Sequence, residues 1–281
     1  KRVIRGKVIL EKGEDAKYAG DKKKAAECSL LICEGDSALT LVTRGVNHKK
    51  TELDKDYFGT FSIQGVPPNC RKLSKKITNK KDGVTHCIRS EKLKNNKRFS
   101  ELVKICGLDY EKSYDAKTEE GREEFKTLRY GRVIVAVDQD EDGKGQIFGL
   151  LMNFFVYFWP SLLDWNFIKR FNTPIIRAYP KKDTDFVREF YSQHSFKEWV
   201  TKIFKGDEKN ALKTFKVKYY KGLASHDVHE IRPLFNNFEN RLLTYTLDEK
   251  AEESMEAYFG VETNFRKEIL SSPVMPEDEI K

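Results

Sequence analysis

An α/β fold on a parallel sheet, followed by a mostly helical C-terminal extension, is predicted by three features of this 281-residue sequence. Two short runs, Cys28-Ser-Leu-Leu-Ile-Cys33 and Val133-Ile-Val-Ala-Val137, are nearly continuous in apolar residues, as expected of strands covered on both faces in a parallel sheet. Each run ends in acid, at Glu34-Gly-Asp-Ser and at Asp138-Gln-Asp-Glu-Asp-Gly143, and each then enters a helical pattern. Such sheets gather ligands at the carboxyl ends of their strands, so Glu34, Asp138 and Asp140 are expected to converge although about 100 residues separate them.

In chain order, residues 1–27 read as an entry segment with one short helix over Glu14 to Ala19. Residues 28–170 form the α/β core. Its first strand ends at Glu34, Gly35 turns the chain, and Asp36 or Ser37 caps a helix starting near Ala38. Phe58 to Val66 predicts a strand leading into a loop, residues 71–98 a basic insertion, and Phe99 to Ile105 a helix. The helix after the aspartates runs from Ile147 to Trp159, where Pro160 stops it. Within 171–270, strands are expected over Phe171 to Tyr179, Phe186 to Tyr191 and Lys216 to Leu223, and a helix over Phe196 to Phe204. The last sixty residues read as largely helical, and 271–281 as a linker.

Charged residues make up 34% and apolar ones 39%, the balance of a polar globular protein. The apolar stretch Ile147 to Leu163 contains Asn153 and Pro160, which favours a core helix over a membrane span. Five cysteines without a C-x-x-C pair argue against a disulfide framework or zinc ribbon and for an intracellular setting. Residues 71–98 hold eleven Lys/Arg against Asp82 and Glu91, an excess of nine that accounts for the whole net charge of +8. Such a block is an electrostatic footprint for nucleic acid, or else a solvated loop.

Alternating aspartates at a strand end point Asp138 and Asp140 to one side, where their repulsion favours a cation between them. Hard oxygen ligands of this kind suit Mg²⁺, which keeps several waters and takes substrate phosphate. The start Asp-x-Asp-x-Asp-Gly also opens a calcium-binding EF-hand loop, but the twelfth position here is Gly149 rather than Glu. Two other readings stand beside a DNA-acting metal site. One is a metal-dependent phosphohydrolase with Asp138 as nucleophile; the other is a non-catalytic basic DNA-binding module. His226 and His229 read as helix-surface residues, and Phe154, Phe155, Phe158 and Trp159 as core.

Taken in order, Glu34-Gly-Asp-Ser-Ala, Leu128-Arg-Tyr-Gly, Asp138-Gln-Asp-Glu-Asp-Gly, Asn172-Thr-Pro-Ile-Ile and Tyr219-Tyr-Lys-Gly-Leu resemble the TOPRIM region of eukaryote-like type IIA DNA topoisomerases. The similarity runs from about Glu14 to Lys267. The ending Gly-Leu-Ala-Ser-His-Asp is similar to the branch carried by large cytoplasmic DNA viruses. The resemblance implies a Rossmann-like TOPRIM sheet whose Glu34, Asp138 and Asp140 hold Mg²⁺, or Mn²⁺ in its place, for reversible cleavage of duplex DNA, with Asp142 supporting. It also implies a homodimeric enzyme that uses ATP, acting in the host cytoplasm if viral and in the nucleus otherwise. The nucleophilic tyrosine of the family lies on a winged-helix domain. No segment here resembles that domain or the ATPase domain, so the chain reads as the metal-binding part of a larger enzyme.

Two departures matter. Where family members have Pro-Leu-Arg-Gly-Lys-x-Leu-Asn, this chain has Ser62-Ile-Gln-Gly-Val-Pro-Pro-Asn69, replacing two cations by Gln64 and Val66. Arg71, Lys72, Lys75 and Lys76 just downstream are candidate DNA contacts that supply the lost charge, with Asn69, which keeps its family identity, and Lys218 and Lys221 beside the Tyr-Tyr pair as further candidates. After Asp142-Gly, the segment Lys144-Gly-Gln-Ile is one residue longer than the family's Ser-His-Ile.

Overall fold

The computed structural model describes residues 6–78, 85–182 and 187–271. The strands in chain order are β1 (Gly13–Glu14), β2 (Ser29–Cys33), β3 (Phe58–Ser62), β4 (Ser74–Thr78), β5 (Thr85–Arg89) and β6 (Arg132–Ala136). They continue with β7 (Ile168–Phe171), β8 (Ile176–Pro180), β9 (Arg188–Phe190), β10 (Phe215–Tyr219) and β11 (Leu242–Thr244). The helices are α1 (Asp36–Asn47), α2 (Glu91–Lys94), α3 (Lys97–Cys106), α4 (Glu119–Phe125) and α5 (Phe148–Phe158). After them come α6 (Gln193–Phe204), α7 (Glu208–Thr214), α8 (Val228–Phe235), α9 (Ala251–Phe259) and α10 (Asn264–Ser271).

The main sheet has the order β1-β3-β2-β6-β7-β11. Its four central strands are parallel, and β1 and β11 close the two edges in antiparallel sense. The expected α/β fold is thus present. Alternate side chains of the apolar runs go to opposite faces. Leu30, Ile32, Val133 and Val135 join a core with Leu102 and Ile105 of α3 and Leu151 and Phe155 of α5. Leu31, Cys33, Ile134 and Ala136 join another with Val42 of α1 and Leu234 of α8. Continuous apolar runs were needed because both faces are covered. Trp159, Phe154 and Phe155 are fully buried and Phe158 packs against them, as expected.

A smaller antiparallel sheet, β10-β8-β9, carries its own core of Ile176, Phe190, Phe196 and Trp199. The C-terminal part is not purely helical, because β11 returns to pair with β7. The basic segment builds a β4–β5 hairpin and α2; its residues 79–84, and the tail 272–281, lie outside the described residues. Among the described residues no helix is long and apolar enough to cross a membrane.

The helix expected over Glu14 to Ala19 is replaced by β1 and a turn. Asp15 explains the difference. Its carboxylate is buried against the Arg129 guanidinium and accepts hydrogen bonds from Tyr130 Oη (2.6 Å) and Val8 N (2.7 Å). Arg129 spends its other donors on the carbonyls of Ile105 (2.9 Å) and Gly6 (2.7 Å). A buried pair with its hydrogen bonds satisfied ties the entry segment to the core, and removing one partner would cost about 3–5 kcal/mol.

Candidate functional site

Register sets the geometry of the site. Cys33 of β2 lies opposite Ala136 of the adjacent parallel strand β6, so Glu34 leaves the sheet beside Val137 and one residue short of Asp138. The carbonyl of Glu34 is held by the amide of Gly65 (3.2 Å) and the hydroxyl of Ser62 (3.3 Å). Gly35, rather than Asp36 or Ser37, occupies the cap position of α1, and Asp36 pairs with Lys12 at 2.9 Å in the first turn.

Asp138 is held from a distant part of the chain. Its Oδ1 accepts the Leu223 N–H at 2.7 Å, and the backbone of Gly222 passes so close that a β-carbon there would lie 2.2 Å from Asp138 Oδ2. The Tyr-Tyr-Lys-Gly-Leu segment thus completes the acidic site. Asp140 caps the next turn, its Oδ1 accepting the Gly143 N–H at 2.8 Å. That turn, Glu141–Ile147, is π-helical and leads into α5. A π-turn is how a helix absorbs one extra residue, which accounts for the longer Lys144 to Gln146 segment.

Burial, followed by the charges of Asp138, Asp140 and Asp142, pushes the Glu34 carboxyl above its usual range. Burial also raises Asp138, the Leu223 amide pulls it down, and Asp140 raises it again. An all-carboxylate donor set under mutual repulsion fits a hard divalent cation. The donor atoms of these residues are not gathered within 4.8 Å of one another; among the described residues Asp227, His229 and Glu230 are. There the protein supplies its own cation, since Lys218 Nζ lies 2.6 Å from Asp227 and 2.8 Å from Glu230.

That clamp changes the placement of several predicted residues. Lys218, a candidate DNA contact, is ion-paired to Asp227 and Glu230. Glu230 also accepts hydrogen bonds from Tyr220 Oη and from Tyr179 Oη (3.0 Å) and Asp227 N (2.7 Å). Burial alone would raise its carboxyl, but the Lys218 ammonium, and after it these donors, hold it at about 2. His226, expected on a helix surface, is buried and stacked on Tyr220 at 4.1 Å. Burial, aided by the Arg177 cation, lowers it to about 4. His229 is exposed, as expected.

Among the basic candidates, Arg71 is turned inward. Its guanidinium is only 4% exposed and binds Glu252, Glu256 and Asn153 Oδ1, the last at 2.8 Å, so it is a packing residue and not a DNA contact. Asn69 is likewise engaged, donating to the Phe259 carbonyl at 2.8 Å and accepting from Asn153 at 3.2 Å. Lys72, Lys75, Lys76 and Lys221 are exposed, with the Lys76 ammonium 4.6 Å from the centre of the Tyr157 ring. The cation that reaches Gln64 is Arg98, hydrogen-bonded to Gln64 Oε1 and paired with Glu11 and Glu101.

Residues 171–279 match the family described as the C-terminal associated domain of TOPRIM. The chain is 43% identical over 258 residues to a DNA topoisomerase 2 of African swine fever virus, covering 90% of this chain and 20% of that relative. The architecture is similar to the DNA-binding, cleavage and re-ligation domain of Plasmodium falciparum topoisomerase II, with a TM-score of 0.74 and 28% identity, covering 96% of this chain and 33% of that one. This chain is similar to the TOPRIM region of the type IIA DNA topoisomerases. A DNA topoisomerase 2 of Bombyx mori is 35% identical over 236 residues, 84% of this chain and 13% of that relative. The chain therefore spans about a fifth or less of the length of these relatives.

Proposed function

We propose that this TOPRIM region is the metal- and DNA-binding part of an ATP-dependent type IIA topoisomerase that cleaves and religates one duplex to pass another. The observation that supports this reading best is the Glu34, Asp138, Asp140 and Asp142 cluster at the ends of β2 and β6, joined by the Gly222–Leu223 segment. Glu34, Asp138 and Asp140 would hold Mg²⁺ or Mn²⁺, with Asp142 adding charge. A bound divalent ion there supplies charge stabilisation for the scissile phosphate and the leaving 3′ oxygen. The chain's own part is to orient the ligands: Leu223 N–H fixes Asp138, Gly143 N–H fixes Asp140, and Gly65 N–H anchors the backbone at Glu34. Because burial, and after it the neighbouring carboxylates, raise the Glu34 and Asp138 carboxyls, cation binding there would release protons and strengthen with pH.

The exposed Lys72, Lys75, Lys76 and Lys221 are the DNA contacts of this reading. The nucleophilic tyrosine and the ATPase come from other domains of the same homodimeric enzyme, acting in the host cytoplasm as a viral protein, or in the nucleus if it is cellular. Duplex binding followed by fluorescence anisotropy with and without Mg²⁺ tests the assignment. Affinity that rises with Mg²⁺ in the wild type and not in Asp138→Asn is expected. Affinity indifferent to Mg²⁺ would leave a basic DNA-binding module, and release of phosphate from small phosphoesters would favour a phosphohydrolase.

A further inference from the structure

A cleft of about 670 Å³ borders the acidic turn, lined by Gln139, Lys144 and Gly145 on one side and by Arg170, Asn172 and the β9–α6 junction on the other. The carboxylate in the lining, Glu189, is already shared by Arg241 (2.7 Å) and Arg177 (2.8 Å), which leaves the Arg170 guanidinium without it. Arg170 sits at the carboxyl end of β7, next to β6, with its guanidinium 5.4 Å from the centre of the Phe148 ring. Its Nε is buried with no hydrogen-bond partner, and among the described residues no carboxylate pairs with it. A guanidinium that lines a cleft and has no carboxylate partner among the described residues suits an anion that the chain does not itself provide. The volume exceeds what one phosphate ion needs and suits a sugar-phosphate segment with bridging waters.

We propose that this cleft is a phosphate subsite, in which Arg170, with Lys144 and Asn172, receives a backbone phosphate of the DNA strand that passes the carboxylate cluster. The inference rests on the DNA-acting reading above and adds a subsite to it. Free phosphate has the same recognition chemistry, and the test separates the two sources.

The experiment is duplex binding by the whole chain over a range of salt concentrations, for the wild type, Arg170→Gln, Arg170→Lys and Lys144→Gln, with melting temperatures as a check on folding. Arg170→Gln is expected to weaken binding about 5- to 30-fold and to reduce the slope of log K against log salt by about 0.9. Arg170→Lys should restore the slope with only part of the affinity, because a point charge lacks the planar fork. Lys144→Gln, on the half-buried turn that lines the cleft, should reduce the slope independently. Wild-type affinity and slope in both neutral variants would overturn the subsite while leaving the DNA reading intact. No duplex binding by the wild type would overturn both. Calorimetric binding of inorganic phosphate that Arg170→Gln abolishes, with duplex affinity unchanged, would overturn the strand assignment in favour of a free phosphate ligand.

Discussion

Gly222→Ala probes how the Asp138 carboxylate is held. The glycine backbone is extended (φ −168°, ψ 177°), so alanine meets no torsional penalty and the obstacle is space. Its β-carbon would stand 2.2 Å from Asp138 Oδ2 and 2.5 Å from Asp138 Cγ, where non-bonded contact needs about 3.5–4.0 Å. Relief requires the carboxylate to swing away or the 222–225 turn to retreat, and either movement breaks the 2.7 Å bond from Leu223 N–H. Overpacking costs about 1–3 kcal/mol, and a hydrogen bond to an ionised group contributes about 1.5–3 kcal/mol. The two do not add, because one displacement relieves the first at the expense of the second. A net loss of about 1–3 kcal/mol in stability is expected, with a 10- to 100-fold loss of metal affinity, as for other groups that orient a ligand. Calorimetric Mn²⁺ titration beside thermal melting reads both. Wild-type Mn²⁺ affinity and melting temperature in Gly222→Ala would refute the claim that this segment positions Asp138.

Two basic residues of one segment should behave oppositely. Arg71→Met should lower stability by about 2–4 kcal/mol in urea unfolding, through lost packing and the bond to buried Asn153, and leave the salt dependence of DNA binding unchanged. The double charge reversal Lys75→Glu/Lys76→Glu, on the exposed β4, should shift stability by no more than about 0.5 kcal/mol and flatten the salt slope by about two or more. His226 predicts a pH effect. Its folded value of about 4 lies below the ordinary 6.5, so its contribution is complete above pH 6.5 and is lost as pH falls toward 4. Unfolding at pH 7.5 and at pH 4.5 should differ by about 2–3 kcal/mol more in the wild type than in His226→Phe, and equal differences would exclude a buried neutral imidazole.

What was legible in the sequence was what local pattern controls. The runs at 29–33 and 133–137 announced doubly covered strands, and their acidic ends announced where a site would lie, because a parallel sheet aligns strand ends. Side-chain partnerships across the fold were not legible. Arg71 reads as one of eleven cations until α9, about 180 residues on, supplies Glu252 and Glu256. Nothing near Lys218 in sequence announces its pairing with Glu230, and Asp15 reads as helical until Arg129 draws it inward. The Gly222–Leu223 contact with Asp138 had one sequence signal, a glycine just after a strand, which names a close approach without naming its partner.

The most direct test of the central claim is calorimetric titration of Mn²⁺ and Mg²⁺ into the chain with a short duplex, beside Glu34→Ala and Asp138→Asn. Saturable binding in the wild type that disappears in both variants is predicted, since strand ends about 100 residues apart in sequence then build one metal site. Binding that survives Glu34→Ala, or no saturable binding in the wild type, would contradict a shared site and with it the metal-dependent role assigned to this region.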